Sequence, residues 1–158
     1  MMKQLFRSAT LASTLLFLAA TSPGAEALRL KLSDVKLKAG SPPTAHLGVN
    51  EDGRLHFYSG LTGEWKVKVP ADGEYTLHVS ASCQAALGVN ANFKVTVDDK
   101  PAGDEVKLTT EEKKEYTLKL TLKSGETRLG ITFTNDAYKE GEYDRNLFIH
   151  ALSLEAKK

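Results

Sequence analysis

The chain is predicted to fold as an all-β sandwich. Three observations carry that prediction. Apolar and polar residues alternate with period two through a series of short segments, turn residues separate those segments, and no stretch shows a convincing amphipathic-helix pattern. Each alternating segment can therefore cover a core with one face and meet water with the other.

The segments come in this order. Lys3 and Arg7 precede an apolar run from Leu11 to Ala20, Thr21-Ser22-Pro23-Gly24 breaks any helix, and Ala25-Glu26-Ala27 has the small-x-small form of a cleavage site. That is the pattern of a secretory signal peptide over residues 1–27, with cleavage expected before Leu28. The run is too short for the roughly 20 apolar residues that span a bilayer, so no membrane insertion is expected. Residues 28–158 are then one domain. Leu28–Leu32, Trp65–Val69, Tyr75–Val79, Phe93–Val97, Tyr116–Leu122, Leu129–Phe133 and Leu147–Ile149 alternate as strands. Pro70-Ala71-Asp72-Gly73, Asp98-Asp99-Lys100-Pro101 and Lys123-Ser124-Gly125-Glu126 supply turn chemistry at hairpin spacing. Thr109–Glu115 reads as a charged loop.

Composition excludes several function classes. The full chain has 21 basic and 20 acidic residues, and loss of Lys3, Arg7 and Glu26 with the leader leaves the two signs balanced. No basic tract remains to follow a phosphate backbone, so nucleic acid is not an expected partner. Cys83 is the single cysteine, which precludes an internal disulfide; its alternating surroundings make it a small buried hydrophobe. No Gly-x-Ser-x-Gly elbow, phosphate-binding glycine loop or His-Glu-x-x-His helix is present. His46, His56, His78 and His150 are scattered without ligand spacing.

The polar residues gather elsewhere. Phe133-Thr134-Asn135-Asp136-Ala137-Tyr138 is followed closely by Tyr143-Asp144-Arg145-Asn146-Leu147, so two aspartates, two asparagines and two tyrosines fall on one loop between strands. Calcium takes six to eight oxygens from carboxylates, carbonyls and water, and such a loop offers all three. Asp136 and Asp144 would supply charge and carbonyls near Asn135 or Tyr143 further positions. Equally, Asn135 and Asp136 could cap a turn while Asp144 pairs with Arg145. A glycosidase pair is a third possibility, less natural for two carboxylates on one short loop.

Asn135-Asp136 followed by Asp144-Arg145-Asn146-Leu147 and a terminal strand resembles the end of calcium-dependent xylan-binding carbohydrate-binding modules of families 36 and 60. Leu55-His56-Phe57-Tyr58-Ser59-Gly60, Trp65–Pro70 and Gly73–Leu77 fit the same layout. The resemblance implies a jelly-roll β-sandwich whose loop-bound calcium is chelated by vicinal sugar hydroxyls. It places Asp136 and Asp144 as carboxylate ligands and the Tyr143 carbonyl beside them, with Tyr58 as a carbonyl ligand or stacking ring. Leu30-Lys31-Leu32-Ser33-Asp34 departs from the Glu-x-Glu-like pair with which many relatives hold a second calcium. The segment Ala137–Tyr143 also looks longer than in compact members. The expected function is thus a secreted or periplasmic, non-catalytic module binding a polysaccharide such as xylan through calcium. Asn135, Tyr138, Tyr58 and Asn146 are the ligand-contact candidates, and an enzyme on a separate chain is a possible partner. The alternatives are a structural or protein-interaction β-sandwich and, third, a glycoside hydrolase.

Overall fold

The computed structural model describes residues 27–42, 45 and 47–157; the signal peptide read over residues 1–27 lies outside them except for Ala27, as does His46. The described chain forms strands β1 (Leu28–Leu30), β2 (Lys36–Leu37), β3 (Leu47–Val49), β4 (Leu55–Phe57), β5 (Thr62–Val69), β6 (Gly73–Gln84) and β7 (Asn92–Val97). These are followed by β8 (Lys100–Pro101), β9 (Val106–Lys107), β10 (Lys114–Leu122), β11 (Gly125–Phe133), β12 (Ala137–Lys139) and β13 (Tyr143–Ala156). The alternation in sequence is the alternation in burial: Trp65, Val67 and Val69 are buried while Lys66 and Lys68 are exposed.

Two antiparallel sheets face each other. One has the order β10-β6-β13-β4-β3, with β1 and β12 also paired to β13; the other has the order β2-β5-β11-β7-β8, with β9 paired to β7. Leu77, Leu147, Ile149 and Leu154 from the first sheet meet Trp65, Phe93, Leu129, Ile131 and Phe133 from the second in one core. Trp65 donates its indole N–H to the Lys31 carbonyl at 3.1 Å, so its polar edge is satisfied. This is the predicted all-β sandwich.

Three local expectations change. Two of the three turns do not close hairpins: Pro70–Asp72 and Lys123–Ser124 each carry the chain from one sheet to the other. Only Asp98-Asp99 folds a strand back on its neighbour, with φ of 49° and 67° as a primed hairpin turn demands. The strand expected over Leu28–Leu32 ends at Leu30, and Leu32–Asp34 is a single 3-10 turn. The strand expected at Leu147–Ile149 runs from Tyr143 to Ala156, the longest among the described residues.

Candidate metal- and ligand-binding pole

The polar segment lies at one end of the sandwich. Phe133 closes β11 in one sheet, residues 134–136 cross to the other, and β12 folds against the start of β13. The expected single loop is therefore mostly a hairpin, with Glu140–Glu142 at its tip. Gly141 adopts φ 73° there, Glu142 N–H donates to the Lys139 carbonyl at 3.0 Å, and the two side chains pair at 2.5 Å. Register places Tyr138 opposite Asp144 and Ala137 opposite Arg145.

Opposed residues of an antiparallel pair share a face, so Tyr138 and Asp144 stand together and Asn146 joins them two residues on. Asn146 Nδ2 donates to Asp144 Oδ2 at 2.9 Å and to Gln84 Oε1 at 3.1 Å. Asp136 is drawn close enough for Asp144 to repel its charge. Burial first, and that repulsion after it, push the Asp136 carboxyl above its ordinary range, although the amides of Ala137 and Gly60 offset part of the effect. Gly60 packs at this point: a Cβ there would lie 4.0 Å from that of Asp136. Among the described residues neither aspartate has an ion-pair partner.

Arg145, between Asp144 and Asn146, forms an ion pair with neither carboxylate, although its charge offsets a little of the upward shift at Asp136. It is 6% exposed and turns the other way. Its Nε donates to the Val89 carbonyl at 2.9 Å, one terminal nitrogen to the Ala86 carbonyl at 2.6 Å, and the other to the Asn135 carbonyl. Asn135 is equally committed: its Oδ1 accepts Asn92 N–H at 2.7 Å and its Nδ2 donates to the Asn90 carbonyl at 2.9 Å. These bonds fasten the β6–β7 connection to the residue before Asp136.

Tyr58 leaves β4 two residues before Gly60 and is 44% exposed. Its hydroxyl lies 2.6 Å from His56 Nδ1 and accepts from Asn50 Nδ2 at 2.8 Å. The other nitrogen of His56 meets Asp52 at 3.0 Å, and the imidazole packs on Phe148 at 4.6 Å between centroids. The ring that reaches solvent is thus held at its hydroxyl end.

The candidate residues consequently separate. Asp136, Asp144 and Tyr138 come together, and Tyr138 is 63% exposed. Tyr143 opens β13 opposite Lys139, and alternation sends its ring to the face away from Asp144, so only its backbone can join the pole. Of the two asparagines expected to contact ligand, Asn135 has both amide atoms bonded to the Asn90 and Asn92 backbone, whereas Asn146 spends only its Nδ2, on Asp144 and Gln84. The Arg145 clamp is not legible from residue order, because an arginine beside an aspartate ordinarily reads as an ion pair. Leu87, which adopts φ 56° at the tip that this clamp holds, was equally invisible.

Do these residues fit calcium? Two carboxylates share a pole and neither is ion-paired among the described residues, and beside them Asn146, 2% exposed, has an Oδ1 with no hydrogen-bond partner among the described residues. A hard cation would relieve the repulsion between the aspartates, so the donor set fits. Among the described residues no three acidic, histidine or cysteine side chains gather to hold a metal. The remaining oxygens would have to be carbonyls, amide oxygen, water or ligand.

A β-sandwich that presents a carboxylate pair and exposed tyrosines at one end of its sheets has the layout of a sugar-binding module. The profile of family 60, described as calcium-dependent, xylan-binding carbohydrate-binding modules, matches residues 76–158, just over half of the chain, and the chain belongs to that family. A search of curated proteins finds no match. Among solved structures, a family 35 carbohydrate-binding module from Clostridium thermocellum is 16% identical with a TM-score of 0.61, covering 84% of this chain and 100% of its own. A family 36 domain of a multidomain xylanase from the hindgut metagenome of Trinervitermes trinervoides is 11% identical, with a TM-score of 0.63 and coverage of 85% and 99%. A family 36 module in complex with calcium and xylotriose is 13% identical, with a TM-score of 0.60 and coverage of 82% and 98%. At these identities the structural likeness shows a shared fold.

Proposed function

We propose that this chain is an exported, non-catalytic module that binds xylan-like polysaccharide at the pole formed by Asp136 and Asp144. The observation that carries the reading is a carboxylate pair without an ion-pair partner among the described residues: the adjacent guanidinium of Arg145 bonds carbonyls and acts on Asp136 only through space, so both carboxylates are left to ligate a cation. Asp136 and Asp144 would hold calcium, with the Tyr143 carbonyl beside them. When bound, calcium supplies a hard Lewis-acid centre for two adjacent sugar hydroxyls. Tyr138, across the hairpin from Asp144, and Tyr58, held by His56 and Asn50, offer rings for the apolar face of a sugar. Asn146 orients the Asp144 carboxylate through its Nδ2 and leaves its Oδ1 free for cation or ligand, while Asn135 orients the crossing segment.

Support comes also from the relatives. One structural neighbour carries calcium with xylotriose, and another is part of a mannanase of Podospora anserina, of whose chain the match covers 28%, so that module is joined to an enzyme. The leader read over residues 1–27 would deliver the module to extracytoplasmic polysaccharide.

Calorimetric titration of soluble xylan tests the reading. With calcium present the protein should bind, and chelator should abolish the heat. Asp144→Ala should weaken binding by about a hundredfold or more, equivalent to losing roughly 2.7 kcal/mol. Binding that survives both chelator and Asp144→Ala would overturn the assignment. A protein that takes up neither calcium nor glycan would leave the structural or protein-interaction reading.

A further inference from the structure

The β6–β7 connection holds a feature that neither the core nor the carboxylate pair explains. Ala86 and Val89 form an isolated bridge, with Ala86 N–H donating to the Val89 carbonyl at 3.1 Å and Val89 N–H to the Ala86 carbonyl at 3.0 Å. Between them Leu87 adopts the left-handed conformation, φ 56°, followed by Gly88 at φ 72°. A leucine rarely sits there, since its Cβ crowds the following carbonyl, and such residues persist where their surroundings enforce them. The side chain is not burying itself in return: Leu87 is 69% exposed and Val89 48%.

The tip is nevertheless held firmly. Arg145 donates to the carbonyls on both sides of it, Ala86 and Val89, and with its third donor to Asn135, immediately before Asp136. A buried guanidinium that meets carbonyls instead of a carboxylate is a costly way to secure a surface turn, and it secures this one to the residue beside the metal pole. Asn135 repeats the tie through Asn90 and Asn92.

We propose that Leu87 and Val89 form an apolar wall beside the Asp136–Asp144 pole, packing against the C–H face of the glycan bound there, with Arg145 as the positioning residue that fixes the wall's distance from the cation. The inference rests on the proposed calcium-dependent sugar binding and adds to it a contact surface from a separate loop. A rigid aliphatic edge suits a sugar ring, which presents hydroxyls around its rim and apolar hydrogens on its faces. Tyr138, 63% exposed and paired with Asp144, would bound the groove on the hairpin side.

Leu87→Gly separates this role from a structural one, because glycine accepts the left-handed backbone without strain while deleting the wall. Titration with xylotriose in saturating calcium should show about tenfold weaker binding in Leu87→Gly, and weaker binding again when Val89→Ser is added. The thermal midpoint should be unchanged or higher, and the rise in midpoint produced by calcium alone should match that of the unaltered protein. Xylotriose affinity within twofold of the unaltered protein in the double variant would overturn the wall, and leaves the parent reading intact if Asp144→Ala still abolishes binding. Failure of the unaltered protein to bind xylotriose in calcium would remove both.

Discussion

At the scale of single residues, chemistry is set by which neighbour a side chain chooses. Arg145 illustrates this: beside Asp144 in sequence, it bonds carbonyls of two other segments in space. The carboxylate pair was legible because its members stand close together in sequence and are of one charge type. The clamp was not, because two of its three partners are backbone atoms 56 and 59 residues away, which composition cannot display. His150 allows a test of a different kind. It sits at a bulge in β13 with Nε2 2.7 Å from Ser82 Oγ, and burial, then the charges of Arg54 and Lys113, hold its pKa below 6.5. A histidine whose folded pKa is depressed contributes stability that is complete above 6.5 and is lost as pH falls through the folded value. The thermal midpoint should thus decline on acidification from about pH 7 to about pH 5, and His150→Gln should flatten that decline. An identical slope in the variant would refute the assignment. Cys83 offers a second check. Buried, with its thiol pKa raised chiefly by desolvation, it should resist a thiol reagent in the native protein and react once the chain is unfolded.

At the scale of elements, alternation was a sound guide to strands but a poor one to connectivity. Turn residues at Pro70–Gly73 and Lys123–Glu126 mark where the chain reverses, and a reversal has the same local chemistry whether the next strand pairs with the last or lies in the facing sheet. What decides between them is which apolar face needs covering, a property of the assembled sandwich. The β12–β13 hairpin was hidden for a related reason, since Ala137–Lys139 has no alternating pattern and is a strand only because β13 extends beside it. Close packing between elements can be probed at Gly63 in β5. A Cβ there would lie 2.8 Å from both Leu47 Cδ2 and Val35 Cγ2, and 3.3 Å from Phe57 Cζ. Gly63→Ala should destabilise the fold by about 1–3 kcal/mol, read as a lower urea midpoint. An unchanged midpoint would mean that the β2–β5 edge yields more easily than its packing implies.

At the scale of the whole molecule, a chain with a single cysteine draws its stability from the core between the two sheets. Trp65, Phe57, Phe93 and Phe133 are among the side chains buried almost completely, and β13 adds Leu147, Ile149, Leu152 and Leu154 to them. That strand also touches β1, β4, β6 and β12 and begins with the residues of the candidate site. A chain ending at residue 142 should therefore lose the entire cooperative transition, and not merely the binding pole. Circular dichroism on heating would show it; a surviving sharp transition would contradict the central role of β13.

The position of β13 also sets a schedule. In their sheet β4 and β6 are separated by β13, which follows both of them in the chain. Until residues 143–156 arrive, the two earlier strands have an empty lane between them and the sheet cannot close. Closure of this sheet therefore waits on a strand whose partners lie more than sixty positions upstream in β6 and more than eighty upstream in β4, a long-range pairing that makes folding slow compared with a meander of neighbouring strands.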